Sequence, residues 1–415
     1  MAKNLSKELK EYLPQRVFNL LRDAGDKSSK LGQEVFLVGG VVRDLFLGRA
    51  NFDFDLVIEG DAIKLAQELA KSSQVKLIAH HRFGTAKLNF FDFTLDIAAA
   101  RRETYSRPGA LPDVQPGTVN DDLFRRDFSV NAMALCLAPE RFGELIDHYH
   151  GQDDIANRLI RVLHSKSFID DATRIFRAIR YEQRLGFTLE PKTAELLVRD
   201  AAMIRTISGD RIRHELILML MEEFPERALK RSGELGVLSE LHPSLKGSSW
   251  LSEKFEQTRQ FYKLSSLYPL YLCLLIYNLA PNENDQFLSR LNFPKKLSET
   301  MRQTLQLKAQ LDLLAKTELK PSDIYQLLHG YTAQAIQTNM LAVQSEVIKQ
   351  RLQLYLTKWR YVRPLLTGED LKEMGVPHGP KLGKILSALY EAKLNGQART
   401  RKGEEKLVRS WLGSS

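Results

Sequence analysis

The sequence predicts an α+β protein: a mixed-sheet head over residues 1–150, followed by an all-helical remainder. Three observations carry this. Residues 31–150 alternate short β-rich runs with helical stretches. From about residue 150 helical periods take over, punctuated by turns at Gly186, Gly209, Pro225, Gly236, Pro243, Pro269, Pro281 and Pro294. Charge shifts at the same place, since residues 1–150 hold 20 Lys+Arg against 21 Asp+Glu, whereas residues 151–415 hold 40 against 30. At 415 residues the chain suffices for several compact units with ample core. The pattern divides it into two halves, a head (1–150) and a helical remainder expected as the stretches 151–235, 236–365 and a tail, 366–415.

Taken in order, the apolar run Val35–Val38 reads as a buried strand, and Gly39-Gly40 turns the backbone tightly into a helix carrying Arg43. Free N–H groups at that helix start, with a guanidinium one turn in, make a phosphate cradle. Phe54–Ile58 is the next strand, and it is entered through Asp53-Phe54-Asp55. Successive strand side chains alternate faces, so Asp53 and Asp55 point the same way while Phe54 packs behind them. Two carboxylates then share one hard cation. Oxygen-only ligands suit Mg²⁺, which keeps several waters and completes its shell with substrate phosphates. Nucleotidyl transfer to a hydroxyl is the reaction this arrangement suggests.

Ala62–Ser72 follows as a helix, and Val75–Ala79, Ala86–Phe90 and Phe93–Ala98 form a meander beside the first strands. Arg101 to Thr118 is rich in Pro, Gly and charge and reads as a mobile loop. In the helix expected from Asp170 onward, Asp171, Arg174, Arg177 and Arg180 recur every three residues and trace a slanted stripe, too charged for a core. Tyr268–Ala280 is strongly apolar but too short to span a bilayer, so it is expected as a buried helix.

Composition narrows the function classes. Cys136 and Cys273 are the only cysteines, so neither a disulfide framework nor a zinc knuckle is available, and the cytoplasm is the natural compartment. The N-terminal residues lack the apolar stretch of a signal peptide. The histidines are scattered and no His-Asp dipeptide occurs, which removes a metal phosphohydrolase of that type. A basic helical half beside a nearly neutral head fits a polyanionic acceptor whose binding weakens with salt. The alternative is a merely soluble basic protein.

Singly, Gly-Gly after a strand and D-x-D at a strand end are weak signals. Together and in this order, Leu37–Arg49 (LVGGVVRDLFLGR) and Asp53-Phe54-Asp55, with Arg125–Met133 (RRDFSVNAM) and Asp170–Tyr181 (DDATRIFRAIRY), resemble the class II tRNA nucleotidyltransferase and poly(A) polymerase family of the polymerase-β superfamily. The resemblance implies that Asp53 and Asp55 are catalytic and hold Mg²⁺. It also implies that Gly40, Arg43, Arg126, Arg177 and Arg180 bind the triphosphate, and that Asp127 orients Arg125 or Arg126 or touches the ribose. Asp96 is a possible third carboxylate. In the family the segment at 101–118 is a flexible element that helps the site change its nucleotide.

Asp171 and Arg174 have a sharper reading. Cytosine and adenine both present an amino donor beside a ring-nitrogen acceptor, while uracil and guanine present a carbonyl beside an N–H. Asp accepts and Arg donates, so the pair matches C and A and leaves U and G with buried like-to-like contacts costing roughly 1–3 kcal/mol per unpaired group. The competing reading is an exposed helix face with Asp171–Arg174 and Asp170–Arg174 salt bridges. The family's usual motif begins with Glu where this chain has Asp170.

Phe83-Gly84-Thr85 resembles the tRNA branch, and the absence of a long basic C-terminal extension argues the same way. The implied partners are the tRNA 3′ end, CTP and ATP, with no membrane and no required protein partner. Whether CCA, CC or A alone is added stays open. Poly(A) polymerase and a catalytically inactive tRNA-binding protein are the alternatives. In the tail, backbone amides at Gly379 and Gly383 with Lys381 and Lys384 are either phosphate ligands or a helix-turn-helix corner.

Overall fold

The computed structural model describes residues 3–71, 75–262 and 267–413, so Ser72, the expected end of the 62–72 helix, lies outside the described residues. The chain forms two compact units, Met1–Pro243 and Ser244–Ser415.

The first unit starts with α1 (Ser6–Tyr12) and α2 (Gln15–Lys30), then β1 (Glu34–Val38), α3 (Gly40–Leu47), β2 (Asp53–Glu59), α4 (Ala62–Lys71), β3 (Lys76–His80), β4 (Thr85–Asn89) and β5 (Thr94–Ala99). After these come β6 (Arg101–Thr104), β7 (Asp113–Pro116), α5 (Val119–Phe124), β8 (Ala134–Cys136) and β9 (Leu145–Ile146). A seven-stranded sheet runs β3-β4-β5-β2-β1-β8-β9. Among the described strands of this sheet only β2 and β5 pair in parallel, Asp55 standing beside Asp96. The expected meander is present as antiparallel β3, β4 and β5.

Alternation decides the two faces. Along β2, Asp53 and Asp55 are exposed and Phe54 is 1 % exposed. The apolar stripe of α4 (Leu65, Ala66, Leu69) covers the closed side over β4 and β5. On the opposite face Phe36, Val38 and Val57 meet Val119 and Leu123 of α5. That helix is started by a capping box in which Thr118 and Asp121 satisfy each other's backbone N–H.

The expected loop at 101–118 is corrected. It contains a two-stranded antiparallel ribbon, with Arg102 opposite Gln115 and Glu103 opposite Val114. Pro112 and Pro116 disguise it in the sequence, yet an exposed ribbon tolerates proline where no ladder N–H is needed.

The unit continues with α6 (Gly151–Ala156), β10 (Leu159–Ile160), α7 (Ser167–Asp170), α8 (Thr173–Leu185), β11 (Thr188–Leu189), α9 (Pro191–Asp200), α10 (Gly209–Leu220), α11 (Pro225–Glu234) and α12 (Val237–Leu241). The all-helical expectation needs one small amendment, since β10 and β11 form a short parallel pair bracketing α8. Ile175, Phe176, Ala178 and Ile179 bury the apolar side of α8, which packs on α10 and α11.

The second unit is helical throughout its described elements: α13 (Ser249–Phe261), α14 (Tyr268–Leu275), α15 (Pro281–Leu291), α16 (Lys295–Lys308), α17 (Pro321–Leu328), α18 (Ala333–Ala342), α19 (Glu346–Thr357), α20 (Gly368–Glu373), α21 (Pro380–Leu394) and α22 (Arg401–Gly413). As expected, α14 is buried, with Leu270 to Leu275 all inside. No described helix is long and apolar enough to cross a membrane. At the tail, Gly379 (φ 124°) turns the chain into α21 after α20, a helix–turn–helix corner. The basic stretch 399–406 carries one wholly buried acid, Glu404, which accepts the backbone N–H groups of Leu365 and Leu366 (2.7 and 2.8 Å) and bonds Lys393 (2.9 Å).

Candidate active site

The carboxylate end of the site lies on the open face of the sheet. Thr94 Oγ1 donates to Asp53 (3.1 Å), and Asn51 accepts the Asp53 N–H (2.9 Å), which fixes the strand start. Asp55 keeps exposed surface yet sits low among its neighbours. Lost solvent pushes its carboxyl above the ordinary range; Arg126 opposes this, and Asp96 and Asp53 push the same way. Asp96 is held by Lys87 at 2.7 Å. Among the described residues no three carboxylate, imidazole or thiolate groups are gathered to hold a metal alone. Two hard oxygen donors with open surface, their charges only partly offset by Arg126 and Lys87, fit a divalent cation that draws its other ligands from phosphates and water.

The phosphate end begins where β1 stops. Gly39 adopts φ +76° and ψ −135°, a glycine-only conformation, and an added Cβ would meet Arg126 Nη1 at 2.8 Å. Gly39 is therefore the residue that must be glycine, while Gly40 opens α3, where a Cβ would find ordinary contacts. Behind Arg126 lies Asp122, wholly buried, which bonds Arg125 (2.6 Å) with one oxygen and Arg126 (3.0 Å) with the other. Among the described residues the buried Arg126 Nε has no hydrogen-bond partner.

Arg43 is placed differently from its expected role. It is buried, bonded to Asp44 (2.9 Å) and Asn131 (2.7 Å), and does not line the cleft. Asn131 passes the link to Asp127 (3.0 Å), which accepts two bonds from Arg177 (2.8 and 2.5 Å). The arginine that Asp127 orients is therefore Arg177, not Arg125 or Arg126 as expected, because Asp122 already holds those two. Burial alone would raise its carboxyl, but Arg177 and Asn131 hold it below the ordinary value. The guanidiniums of Arg43, Arg177 and Arg180 gather around the ring of Tyr181 at 5.5, 5.6 and 5.8 Å.

The base end corrects the helical stripe in three ways. Asp171 is not in the helix: it caps α7 in an extended conformation and accepts from the Thr173 N–H (2.9 Å), so α8 starts only at Thr173. Arg174 and Arg180 are 5 % and 7 % exposed, because partners from distant elements satisfy them inside. Arg174 donates to Ser167 Oγ (2.8 Å) and to the Arg125 carbonyl (2.5 Å), whereas Arg180 pairs with Glu215 (3.0 Å). Among the described residues Arg174 makes neither salt bridge of the competing reading, and Asp171 pairs instead with Arg211 (2.7 Å).

A cleft of about 470 Å³ unites the three ends. It brings Gly39, Gly40, Asp55 and Arg126 together with Asp127, Asp171, Arg174 and Arg177. Asp53, Arg43 and Arg180 stand outside its lining. The lining also includes residues the sequence did not single out, among them Glu103, Tyr105, Asn131, Tyr181 and Arg211. Glu103 comes from strand β6 of the ribbon, and Tyr105 follows the end of that strand. Arg211 Nη1, another buried donor without a partner among the described residues, carries no sequence signal.

The Poly A polymerase head domain model matches residues 35–161, and a model described as the probable RNA- and SrmB-binding site of polymerase A matches residues 186–248. The chain is 34 % identical to an A-adding tRNA nucleotidyltransferase of Geobacter sulfurreducens over 96 % of its own length, but it spans only 48 % of that relative. It is also 34 % identical to an A-adding tRNA nucleotidyltransferase of Halalkalibacterium halodurans, covering 92 % of this chain and 90 % of that one. A solved CCA-adding enzyme in complex with ATP superposes with a TM-score of 0.82 at 28 % identity, covering 99 % of both chains. With a relative this similar matched over nearly its whole length, and with the glycine turn, carboxylate strand and arginine helix in one cleft, the chain belongs to the tRNA nucleotidyltransferase and poly(A) polymerase family.

Proposed function

We propose that this protein transfers nucleotides from ATP and/or CTP to the 3′ end of tRNA, releasing pyrophosphate. The observation that carries the reading is the single cleft in which Asp55, Gly39 and Arg126 meet Asp171 and Arg174. Asp53 and Asp55 are the residues to hold Mg²⁺, with Asp96 beside them as a candidate third ligand. When bound, the metal lowers the acceptor hydroxyl's pKa and neutralises charge on the phosphates. Gly39, Gly40 and Arg126 receive the triphosphate, with Arg177 held toward the cleft by Asp127. Arg43 and Arg180 support this arrangement from behind, through Asn131 and Glu215. Asp171 accepts from the base's amino group and Arg174 donates to its ring nitrogen. The basic helical elements, the tail included, hold the tRNA through phosphates, and the cytoplasm is the compartment.

The likeness to relatives named A-adding supports addition of the terminal A as the first reaction to test. The test is to incubate the protein with tRNA ending at the discriminator base, at C and at CC, supplying CTP and ATP separately. Extension only of the CC-ended tRNA by ATP assigns A addition, and extension of all three assigns CCA addition. Equal elongation of an unstructured oligoadenylate favours poly(A) synthesis instead. Because phosphate contacts release counterions, tRNA binding should fall steeply between low and moderate salt while KM for the free nucleotide barely moves.

A further inference from the structure

The open face of the sheet carries a group that neither the nucleotide cleft nor the carboxylate pair accounts for. Asp55 on β2 is in register with Asp96 on β5, and Asp96 with Lys87 on β4. Residues in register share a face, so the three side chains form one row across the sheet. The exposure pattern agrees: Asp55, Asp96 and Lys87 keep accessible surface, while Phe54, Leu95, Leu88 and Ala86 on the same strands are buried. Val38, at the end of β1, stands in register on the other side of Asp55, and the Gly39 turn follows it.

This row has a direction. The glycine turn and Arg126, which receive the triphosphate, lie on the β1 side of Asp55. In nucleotidyl transfer the attacking and leaving oxygens are roughly in line through the phosphorus. With pyrophosphate leaving toward β1, the acceptor hydroxyl arrives from the β5 and β4 side. There the first cation in the row is Lys87, two strand spacings or about 10 Å from Asp55 between backbones. Its ammonium bonds Asp96 at 2.7 Å and keeps over a third of its side chain exposed.

We propose that Lys87 is an acceptor-phosphate subsite, its ammonium binding the last phosphodiester of the RNA strand whose 3′ hydroxyl attacks, with Asp96 aiming it. The proposal rests on the transfer reaction proposed above. Lys87 touches substrate in this account but no reacting atom, so its loss should appear mainly in acceptor KM. Lys76, exposed on the edge strand β3, lies outside the row and serves as the control.

The test pairs a protein change with a chemical change in the RNA. A tRNA that the wild-type protein extends is prepared with its last phosphodiester either natural or replaced by a neutral methylphosphonate. Lys87→Met should raise acceptor KM on natural tRNA by roughly tenfold, as expected for losing a charge-assisted contact, with nucleotide KM nearly unchanged. The methylphosphonate should cost the wild-type protein a similar factor and Lys87→Met nothing further, because both changes remove one interaction. Lys87→Arg should restore most of the affinity, and Lys76→Ala should behave as wild type. Additive losses, or a fall in kcat with acceptor KM unmoved, would overturn the subsite and leave Lys87 as a support for Asp96. A wild-type protein that extends no tRNA would overturn the functional reading and this proposal together.

Discussion

The two ends of the cleft handle charge in opposite ways. At the carboxylate end Asp53 and Asp55 stand open on a strand, and Asp55 is pushed toward neutrality by lost solvent and by its acidic neighbours. At the base end every named acid has a cationic partner: Asp171 with Arg211, Asp127 with Arg177, Glu215 with Arg180. The first end is unfinished in charge, while the acids of the second are all paired, and in that sense finished, before any ligand arrives. We infer that the unfinished end sets the rate of the chemistry and the finished one sets which ligand fits.

This contrast breaks most visibly at the carboxylates. Asp53→Ala or Asp55→Ala should reduce incorporation by about a thousandfold or more for every nucleotide. Binding of tRNA should stay within a few fold, as a filter-binding titration would read. The double variant should be no worse than either single one, since groups acting as a unit are non-additive. Substantial turnover by Asp53→Ala would remove this end from the mechanism.

Arg174→Ala is the next largest. It removes the donor proposed for the base and leaves the Arg125 carbonyl without its 2.5 Å bond, so kcat/KM for the accepted nucleotide should fall roughly a hundredfold. Asp127→Asn probes the finished end through stability. Because the Asp127 carboxyl is held below its ordinary value, it stabilises the fold above the ordinary carboxylate pKa, and that contribution is lost as pH falls through the lowered one. The variant should lose about 2 kcal/mol near neutrality, the worth of a hydrogen bond to a charged group, and show a flatter acid limb in its unfolding curve. An unchanged acid limb would mean the Arg177 pair contributes little. Smaller still is the difference between two neighbouring glycines. Gly39→Ala should cost about 1–3 kcal/mol for its positive φ and its approach to Arg126, and Gly40→Ala well under 1 kcal/mol by thermal unfolding.

The same contrast explains what was legible in the sequence. The carboxylate end is built from neighbours along the chain: a period of two in Asp53-Phe54-Asp55 and a glycine turn ending a buried strand. Local rules reach such features. The base end is built from partners some 40 to 50 residues apart, as in Arg174 with Arg125, Arg177 with Asp127 and Arg211 with Asp171. A spacing of three made Asp171 look helical, yet its side chain takes the Thr173 N–H and sets the helix start two residues later. The arginines looked too charged for a core because their acceptors come from other elements. The 101–118 ribbon was hidden by its prolines, and with it Glu103 and Tyr105, which line the cleft.

The central claim, that one end sets rate and the other sets choice, is tested most directly by Asp171→Ala. The measurement is the ratio of kcat/KM for the accepted nucleotide, ATP or CTP, to that for UTP, in wild type and variant on the same tRNA. The account predicts that the ratio falls by roughly tenfold or more, because the acceptor for the amino group is gone while Arg126 and Arg177 still hold the triphosphate. A uniform loss toward all four nucleotides with the ratio unchanged would contradict it and leave Asp171 as the cap that starts α8.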